Sequence, residues 1–283
     1  MQTATKLVAG GVGLFILLLS VAFCVVRRRR DSFAMTAHLP VTVVKDRAEL
    51  GDLSAYFDGF SACDVAARAP FGGDTADGYL ACLITDAPPA EIDALRRHVA
   101  AADAAARAHP WLRLHADVPW RVALLEDRAE GGWPHTHGGV VCMPIGLLRG
   151  QGRRGRGLDD DLVRVLVHER VHVLQRRNPA AARAYHGASD RLKMTPVASF
   201  PPGSDVARRR RSNPDLDGFL YSPSLMLFPD AATAARDGLR AARLAWIDLD
   251  TGREATARRG AALPAEEHPW EAMAYAIAAE AVP

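Results

Sequence analysis

Two histidines one helical turn apart are the residues of this chain best suited to chemistry. His168 and His172 enclose Glu169 in the pattern His-Glu-x-x-His, within an apolar stretch that predicts a buried helix. Four residues turn an α-helix by about 400°, so both imidazoles project from one face and can bind the same metal ion. Glu169 lies beside that face, where a carboxylate can accept a proton from a metal-bound water. The pattern therefore predicts a metal site with a general base next to it.

The same pattern has a purely structural interpretation, in which two core histidines flank a buried glutamate. Three ionisable groups in one turn of an apolar helix need partners, because burying a charge without one is strongly unfavourable. A metal ion supplies a partner for both imidazoles. We therefore favour metal binding over the structural interpretation.

The pattern resembles the active-site helix of the zincin metallopeptidases, and the order of the surrounding elements is similar. In that family a helix and several strands precede the His-Glu-x-x-His helix, and the last of these strands is a sheet edge that pairs with an extended peptide. Residues 136–144 lie at this position, so the resemblance implies substrate binding by strand addition. Arg170 departs from the family, which has uncharged residues there, but it can point to solvent at the rim of the helix.

A catalytic zinc requires three protein ligands and one open position, so the resemblance calls for a third ligand. The metzincin subgroup has a histidine six residues after the second motif histidine, and this position is Asn178, which excludes that subgroup. The aspartate subgroup would need a residue such as Asp190, but the rest of its pattern is missing. The remaining subgroup is the gluzincins.

Gluzincins take a glutamate from a later helix, where small residues allow close packing against the motif helix. Glu271, followed at helical spacing by Ala274 and Ala278, fits this description. The alternative for Glu271 is an ordinary glutamate in the first turn of a helix capped by His268. Glu267 is the second candidate ligand.

The resemblance thus implies a zinc-dependent metallopeptidase that acts on a peptide or protein substrate. His168, His172 and Glu271 would hold Zn²⁺, and Glu169 would be the general base that takes a proton from the water and returns it to the leaving amine. Two other functions stay open. The chain can be an inactive zincin-like binding or scaffold protein, or a zinc hydrolase that cleaves another amide or an ester.

Other side chains with metal-binding or catalytic potential are not assigned a role. His135 and His137 precede the expected edge strand, and we interpret them as exposed turn histidines close to the cleft. Gluzincins often add a tyrosine or histidine that stabilises the oxyanion, and Tyr221 and His186 are candidates for this role. Both have a stronger ordinary interpretation, as strand core and as surface respectively.

The elements that must position these residues form an α+β domain, with a mixed sheet and the His-Glu-x-x-His helix. Hydrophobic patterning predicts strands at 40–44, 78–85, 120–126, 136–144, 218–221, 225–228 and 244–249. Helices are predicted from Pro88 to Pro110, from 159 to Asn178, and over 270–281. We expect the catalytic domain to cover 39–283.

Composition excludes several classes of protein. The 283 residues are 49% hydrophobic and 24% charged, which is typical of a globular protein and excludes wholesale disorder. The net charge of +2 and the lack of aromatics among the arginine clusters argue against nucleic acid as a partner. The four cysteines are widely spaced, which argues against a disulfide framework or a cysteine zinc site. The oligomeric state is left open.

The N-terminus carries an apolar segment, 7–26, of twenty residues without a charge. This length matches the hydrocarbon core of a bilayer, and four arginines follow it directly. We expect a single transmembrane anchor at 7–26, a basic juxtamembrane linker at 27–38, and a catalytic domain in the cytosol. The alternative is a cleavable signal peptide and a secreted protein.

Overall fold

A four-stranded mixed sheet supports the candidate site in the computed structural model, which describes residues 40–149, 158–186, 194–196, 200–201, 203–216, 219–221, 224–248, 251–255 and 268–283. Its strands are β1 (Val41–Val44), β2 (Trp120–Leu125), β3 (His135–His137) and β4 (Val140–Pro144). They lie in the order β1-β2-β4-β3. Strands β1, β2 and β4 run parallel to one another, and β3 is an edge strand antiparallel to β4. Five of the six residues of β2 are buried, as expected of a central parallel strand covered on both faces.

The described helices and the remaining strands complete an α+β fold. The helices are α1 (Ser54–Asp58), α2 (Ala62–Arg68), α3 (Ala76–Leu80), α4 (Pro89–Ala108), α5 (Gly146–Arg149), α6 (Asp160–Arg177), α7 (Pro179–His186), α8 (Asp205–Arg209), α9 (Ala231–Asp237) and α10 (Pro269–Ala281). Two small antiparallel sheets complete the strands. One pairs β5 (Met194–Pro196) with β6 (Phe219–Tyr221), and in the other β8 (Arg243–Asp248) lies between β7 (Ser224–Leu227) and β9 (Arg253–Glu254).

The motif helix α6 has well-formed ends. The Asp159 side chain accepts hydrogen bonds from the backbone N–H groups of Asp161 and Leu162, which caps the helix. Acidic residues in its first turn and arginines in its last turn complement the helix dipole. The helix ends at Arg177, with Asn178 and Pro179 next in the chain, because a proline cannot continue the hydrogen-bond pattern.

Helix α6 lies between α4 and α10 in the main hydrophobic core. Leu95 and Val99 of α4 and Val167 of α6 belong to this core and are fully or almost fully buried. On the α10 side the contact is made by Ala274 and Ala278, whose small side chains allow the two helices to approach closely. This packing fixes which face of α6 is turned towards α10, and it is the face that carries the two motif histidines.

Arg170 does not point to solvent, contrary to our expectation. It is 3% exposed, and its guanidinium lies 4.7 Å from the ring centroid of Trp120. It also donates hydrogen bonds to the backbone carbonyls of Val118 and Pro119. Burial lowers the pKa of Arg170 to about 10. Arg170, the charged residue by which this chain departs from the zincin pattern, therefore binds the segment that leads into β2.

Two expected strands take other forms. Residues 78–85 begin inside α3, because Thr75 caps that helix by accepting from Gly78 N–H. A Cβ at Gly78 would lie 1.7 Å from the carbonyl oxygen of Gly72, so this close approach of the two backbone segments requires glycine. Residues 136–144 form most of a hairpin, in which β3 is the edge and β4 is an inner strand.

The predicted transmembrane helix requires a correction. No helix in the described part of the chain is long and apolar enough to cross a membrane. The long helices α4 and α6 both carry charged residues along their length. The fold is accordingly corrected to an α+β domain with no membrane-spanning helix among the described residues, and the localisation as a single-pass membrane protein is withdrawn. The segments 7–26 and 27–38, including the alternative signal peptide, lie outside the described residues.

Candidate metal centre

Three donor atoms from two helices converge at the α6–α10 contact. The Nε2 atoms of His168 and His172 are 3.0 Å apart. The Oε2 atom of Glu271 lies 3.3 Å from the first and 3.5 Å from the second. Two ligand atoms at the usual zinc distances and a tetrahedral angle are separated by about 3.3–3.4 Å. The triangle is therefore the right size, and the cluster could hold a metal ion.

A glutamine fixes the orientation of the His172 ring. Gln175 donates from Nε2 to the backbone carbonyl of Trp270 at 3.0 Å, which leaves its Oε1 as an acceptor. His172 Nδ1 lies 2.9 Å from that oxygen and therefore donates to it. The Nε2 of His172 then faces the cluster. An outer hydrogen bond of this kind is the usual support of a metal-ligating histidine.

An asparagine orients the carboxylate in a similar way. Asn213 Nδ2 donates to Glu271 Oε1 at 2.9 Å, so the other oxygen is turned towards the histidines. Glu271 is in the first turn of α10, where the N-cap His268 accepts from Trp270 N–H. Glu271 is therefore both a first-turn residue of a capped helix and a neighbour of His168 and His172, so the two interpretations of this residue are compatible.

Without a metal ion, the charges around the cluster favour a proton on His172. Burial alone would lower the pKa of His172, but the carboxylates of Glu271 and Asp215 outweigh it and raise that pKa to about 9. Burial likewise opposes ionisation of Glu271, but the imidazoles of His172 and His168 hold its pKa well below the ordinary value. A neutral-pH site thus contains an imidazolium and a carboxylate, and a metal ion would displace the imidazolium proton.

Glu169 lies in the same cleft and is 3% exposed. Its Oε2 has no hydrogen-bond partner among the described atoms. Burial, with a further contribution from the Asp215 carboxylate, raises the pKa of Glu169 well above its ordinary value. A nearby cation would favour the charged form. These properties suit a group that exchanges a proton with a molecule in the cleft.

A cleft of about 650 Å³ opens at the cluster. His168, Glu169 and Glu271 line it on one side, and residues 211–215 line it on another. Tyr275, one turn after Glu271, packs against the His168 ring with centroids 4.3 Å apart and is 55% exposed. The size is that of a pocket for a small organic ligand.

The turn before β3 shapes a further wall of this cleft. Glu130 has φ of 45°, a left-handed conformation that is unfavourable for a residue other than glycine. Arg68 holds it there with hydrogen bonds of 3.0 Å and 2.7 Å to its two carboxylate oxygens. The turn brings Trp133 and His135 to the cleft. Strain of this kind is often found at functional sites.

The two strand histidines are buried, and their expected exposure is wrong. His135 is 2% exposed and His137 is 6% exposed. His135 accepts from the Tyr79 hydroxyl at 2.6 Å while its Nδ1 donates to the Trp133 carbonyl. Burial holds the pKa of His137 well below its ordinary value. Neither histidine belongs to the metal cluster among the described residues.

Several site residues were not foreseen from the sequence. Gln175 and Tyr275 follow a ligand residue by three or four positions on the same helix, which is a signal that could have been used. Asn213 lies in a loop and Asp215 in the short 3₁₀ turn Pro214–Leu216 that follows, and neither has such a signal. The side chains of Tyr221 and His186, and the alternatives Asp190 and Glu267, lie outside the described residues.

Metal binding is expected to depend on pH through His172. Its raised pKa contributes stability to the metal-free protein that is fully present below about 6.5 and is lost as pH rises through about 9. The same proton competes with the metal, so apparent metal affinity should fall about tenfold for each pH unit below 9. Calorimetry in buffers of different ionisation enthalpy should show about one proton released at pH 7.5. Affinity that does not change between pH 6.5 and 8 would contradict this assignment.

Gln175→Leu is expected to weaken metal binding, with added zinc as the probe, about 10- to 100-fold, because the His172 ring loses its orienting acceptor. Competition with a zinc-binding dye measures the change. Arg177→Ala, an exposed change at the end of the same helix, is the control and should bind zinc as the wild type does. Equal affinities of Gln175→Leu and the control would show that this hydrogen bond does not support the site.

Within the described residues, one group of histidine and acidic side chains is close enough to share an ion, and it consists of His168, His172 and Glu271. The site therefore consists of a donor triangle, a buried glutamate and a cleft. Comparison of the chain with protein-family models, with curated proteins and with solved structures found no match.

Proposed function

We propose that this protein is a zinc-dependent metallopeptidase. The observation that carries the proposal is the triangle of two imidazole nitrogens and one carboxylate oxygen. The distances between these atoms match those between ligands of a tetrahedral metal site, and the triangle lies on the wall of a cleft. Two histidines and one glutamate are a known catalytic zinc set, and three protein ligands leave a fourth position open. A mixed nitrogen and oxygen set also suits zinc better than magnesium or calcium, which prefer oxygen alone.

The chain's own residues divide the work of peptide hydrolysis. His168, His172 and Glu271 would hold the ion, with Gln175 and Asn213 keeping two of them in position. Zinc, when bound, polarises a carbonyl and lowers the pKa of a coordinated water. Glu169 would accept the proton of the attacking water and pass it to the leaving amine nitrogen.

Tyr275 is the tyrosine best placed to assist this reaction among the described residues. It lines the cleft and packs on the ring of His168, so its side chain lies at the edge of the cluster. A phenol there can donate a hydrogen bond to the carbonyl oxygen of a bound substrate, where negative charge develops.

The proposal is tested with the full chain and a mixture of synthetic peptides. The zinc-loaded protein should generate new peptide termini, detected by mass spectrometry. The products should disappear after chelation and return when zinc is added back. Zinc binding at the cluster without any peptide product would contradict peptidase activity and favour a binding protein. Cleavage of esters or other amides alone would favour a non-peptidase hydrolase.

A further inference from the structure

The segment Arg211–Asp215, which we call the strap, closes one side of the cleft. It includes Asn213, which holds Glu271, so it reaches the metal cluster. At its far end it reaches β3, the edge strand of the mixed sheet. The strap therefore lies between the cluster and the strand to which an extended peptide would add.

The strap already occupies the free edge of β3. In an antiparallel ladder, alternate residues direct their backbone groups away from the partner strand, and Thr136 is such a residue in β3. Its backbone N–H donates to Asp215 Oδ1 at 2.7 Å, and its hydroxyl donates to the same oxygen at 2.6 Å. Arg176 donates to both Thr136 Oγ1 and the Pro214 carbonyl. A substrate strand cannot use the Thr136 N–H in this arrangement.

The anchors of the strap are buried, so the closed edge is part of the fold. Ser212 donates from its backbone N–H and its hydroxyl to the carboxylate of Asp64, which has no exposed surface. Arg68, 3% exposed, donates to the Ser212 carbonyl and binds Asp64 and Glu130. Arg211 N–H donates to the Met226 carbonyl at 2.8 Å. Buried charge-assisted hydrogen bonds of this kind are costly to break.

The cleft beside the strap has large apolar side chains in its walls. These side chains are Trp133, Val165, Met226, Leu239, Leu244 and Tyr275. Trp133 is 39% exposed, so part of its ring faces solvent. Aromatic and thioether groups bind apolar side chains with little demand for exact shape. A volume of about 650 Å³ suits a ligand of a few residues.

We propose that the site takes short peptides or peptide ends with an apolar side chain beside the scissile bond, and excludes the extended interior of a polypeptide. This inference rests on the proposed peptidase function. It replaces strand addition to β3 by side-chain contacts in the cleft as the source of affinity. The closed β3 edge accounts for the exclusion of longer chains, and the walls of the cleft account for the apolar preference.

The test measures binding apart from cleavage, with zinc-loaded Glu169→Gln protein and calorimetry. One peptide series extends a central leucine or phenylalanine from three to twelve residues in both directions, with uncharged blocked ends. The short members should bind at least tenfold more tightly than the twelve-residue member. Replacing the central residue with serine should weaken short-peptide binding about tenfold. Long peptides that bind as tightly as short ones, or no binding at any length, would overturn the inference.

Two variants extend the same test. Trp133→Ala should weaken binding of the phenylalanine tripeptide, whereas Leu114→Ala, an exposed change outside the cleft, should not. Asp215→Ala frees the Thr136 N–H and should improve binding of the twelve-residue peptide relative to the short one. Unchanged length preference in folded Asp215→Ala would overturn the role of the strap. Short-peptide binding without hydrolysis by the wild type would refute the peptidase proposal and leave the ligand class standing.

Discussion

Glu169→Gln is expected to keep zinc in place and to lower peptide hydrolysis by about 10²- to 10⁴-fold, the usual contribution of a general acid–base group. Glutamine has nearly the same shape as glutamate but cannot accept the proton of the attacking water. Glu169 is buried in the cleft, outside the donor triangle, and its Oε2 has no hydrogen-bond partner among the described atoms. Its loss should therefore leave the metal ligands undisturbed and affect the chemical step.

The measurement combines zinc content with initial rates at saturating and low substrate. A fall in kcat with zinc content near one per chain identifies a group that acts in the transition state. Glu126→Gln, a change at an exposed carboxylate, is the matched control and should retain wild-type rates. Equal hydrolysis by Glu169→Gln and wild type would remove Glu169 from the mechanism.

Removing a cluster ligand is expected to abolish stoichiometric zinc binding. His168→Ala, His172→Ala and Glu271→Gln each leave two of three donors, and the zinc content of the purified full chain should fall from about one to near zero. The wild type should also gain about 4 kcal/mol of unfolding free energy at free zinc a thousandfold above Kd, and the variants should not. Both effects follow from a site that exists only in the folded chain.

Elemental analysis and thermal unfolding with and without zinc measure these effects. Glu280→Gln lies on α10 with Glu271 but has a largely exposed side chain, so it is the control for the glutamate change. His115→Ala is the control for the histidines, since His115 lies outside the cluster. Full zinc occupancy in Glu271→Gln would place the third ligand elsewhere.

Local pattern was sufficient for the part of the site that lies within single helices. The spacing of His168 and His172 fixes their common face, and the resemblance to the gluzincins, with the alanines that follow at helical spacing, implied Glu271 as the third ligand. The parallel strands β1 and β2 and the helices α4, α6 and α10 were also predicted from apolar periodicity and end signals. These features depend on residues a few positions apart.

Features that depend on distant parts of the chain were not predicted. Arg170 is buried because Trp120 and the Val118 carbonyl lie opposite it, about fifty residues away in the chain. The strand expected at 78–85 is instead partly a turn of α3, and here the reason is local: Thr75 caps a helix, a signal that the apolar pattern does not contain. The strap forms its contacts with Asp64, Thr136 and Glu271 only after folding, so its role has no local signature.

Zinc-edge anomalous diffraction from crystals of the zinc-loaded chain tests the central claim most directly. The proposal predicts one strong peak within about 2.0–2.2 Å of His168 Nε2, His172 Nε2 and a carboxylate oxygen of Glu271. A zinc ion bound by other residues, or no zinc at this cluster in a protein saturated with the metal, would contradict it.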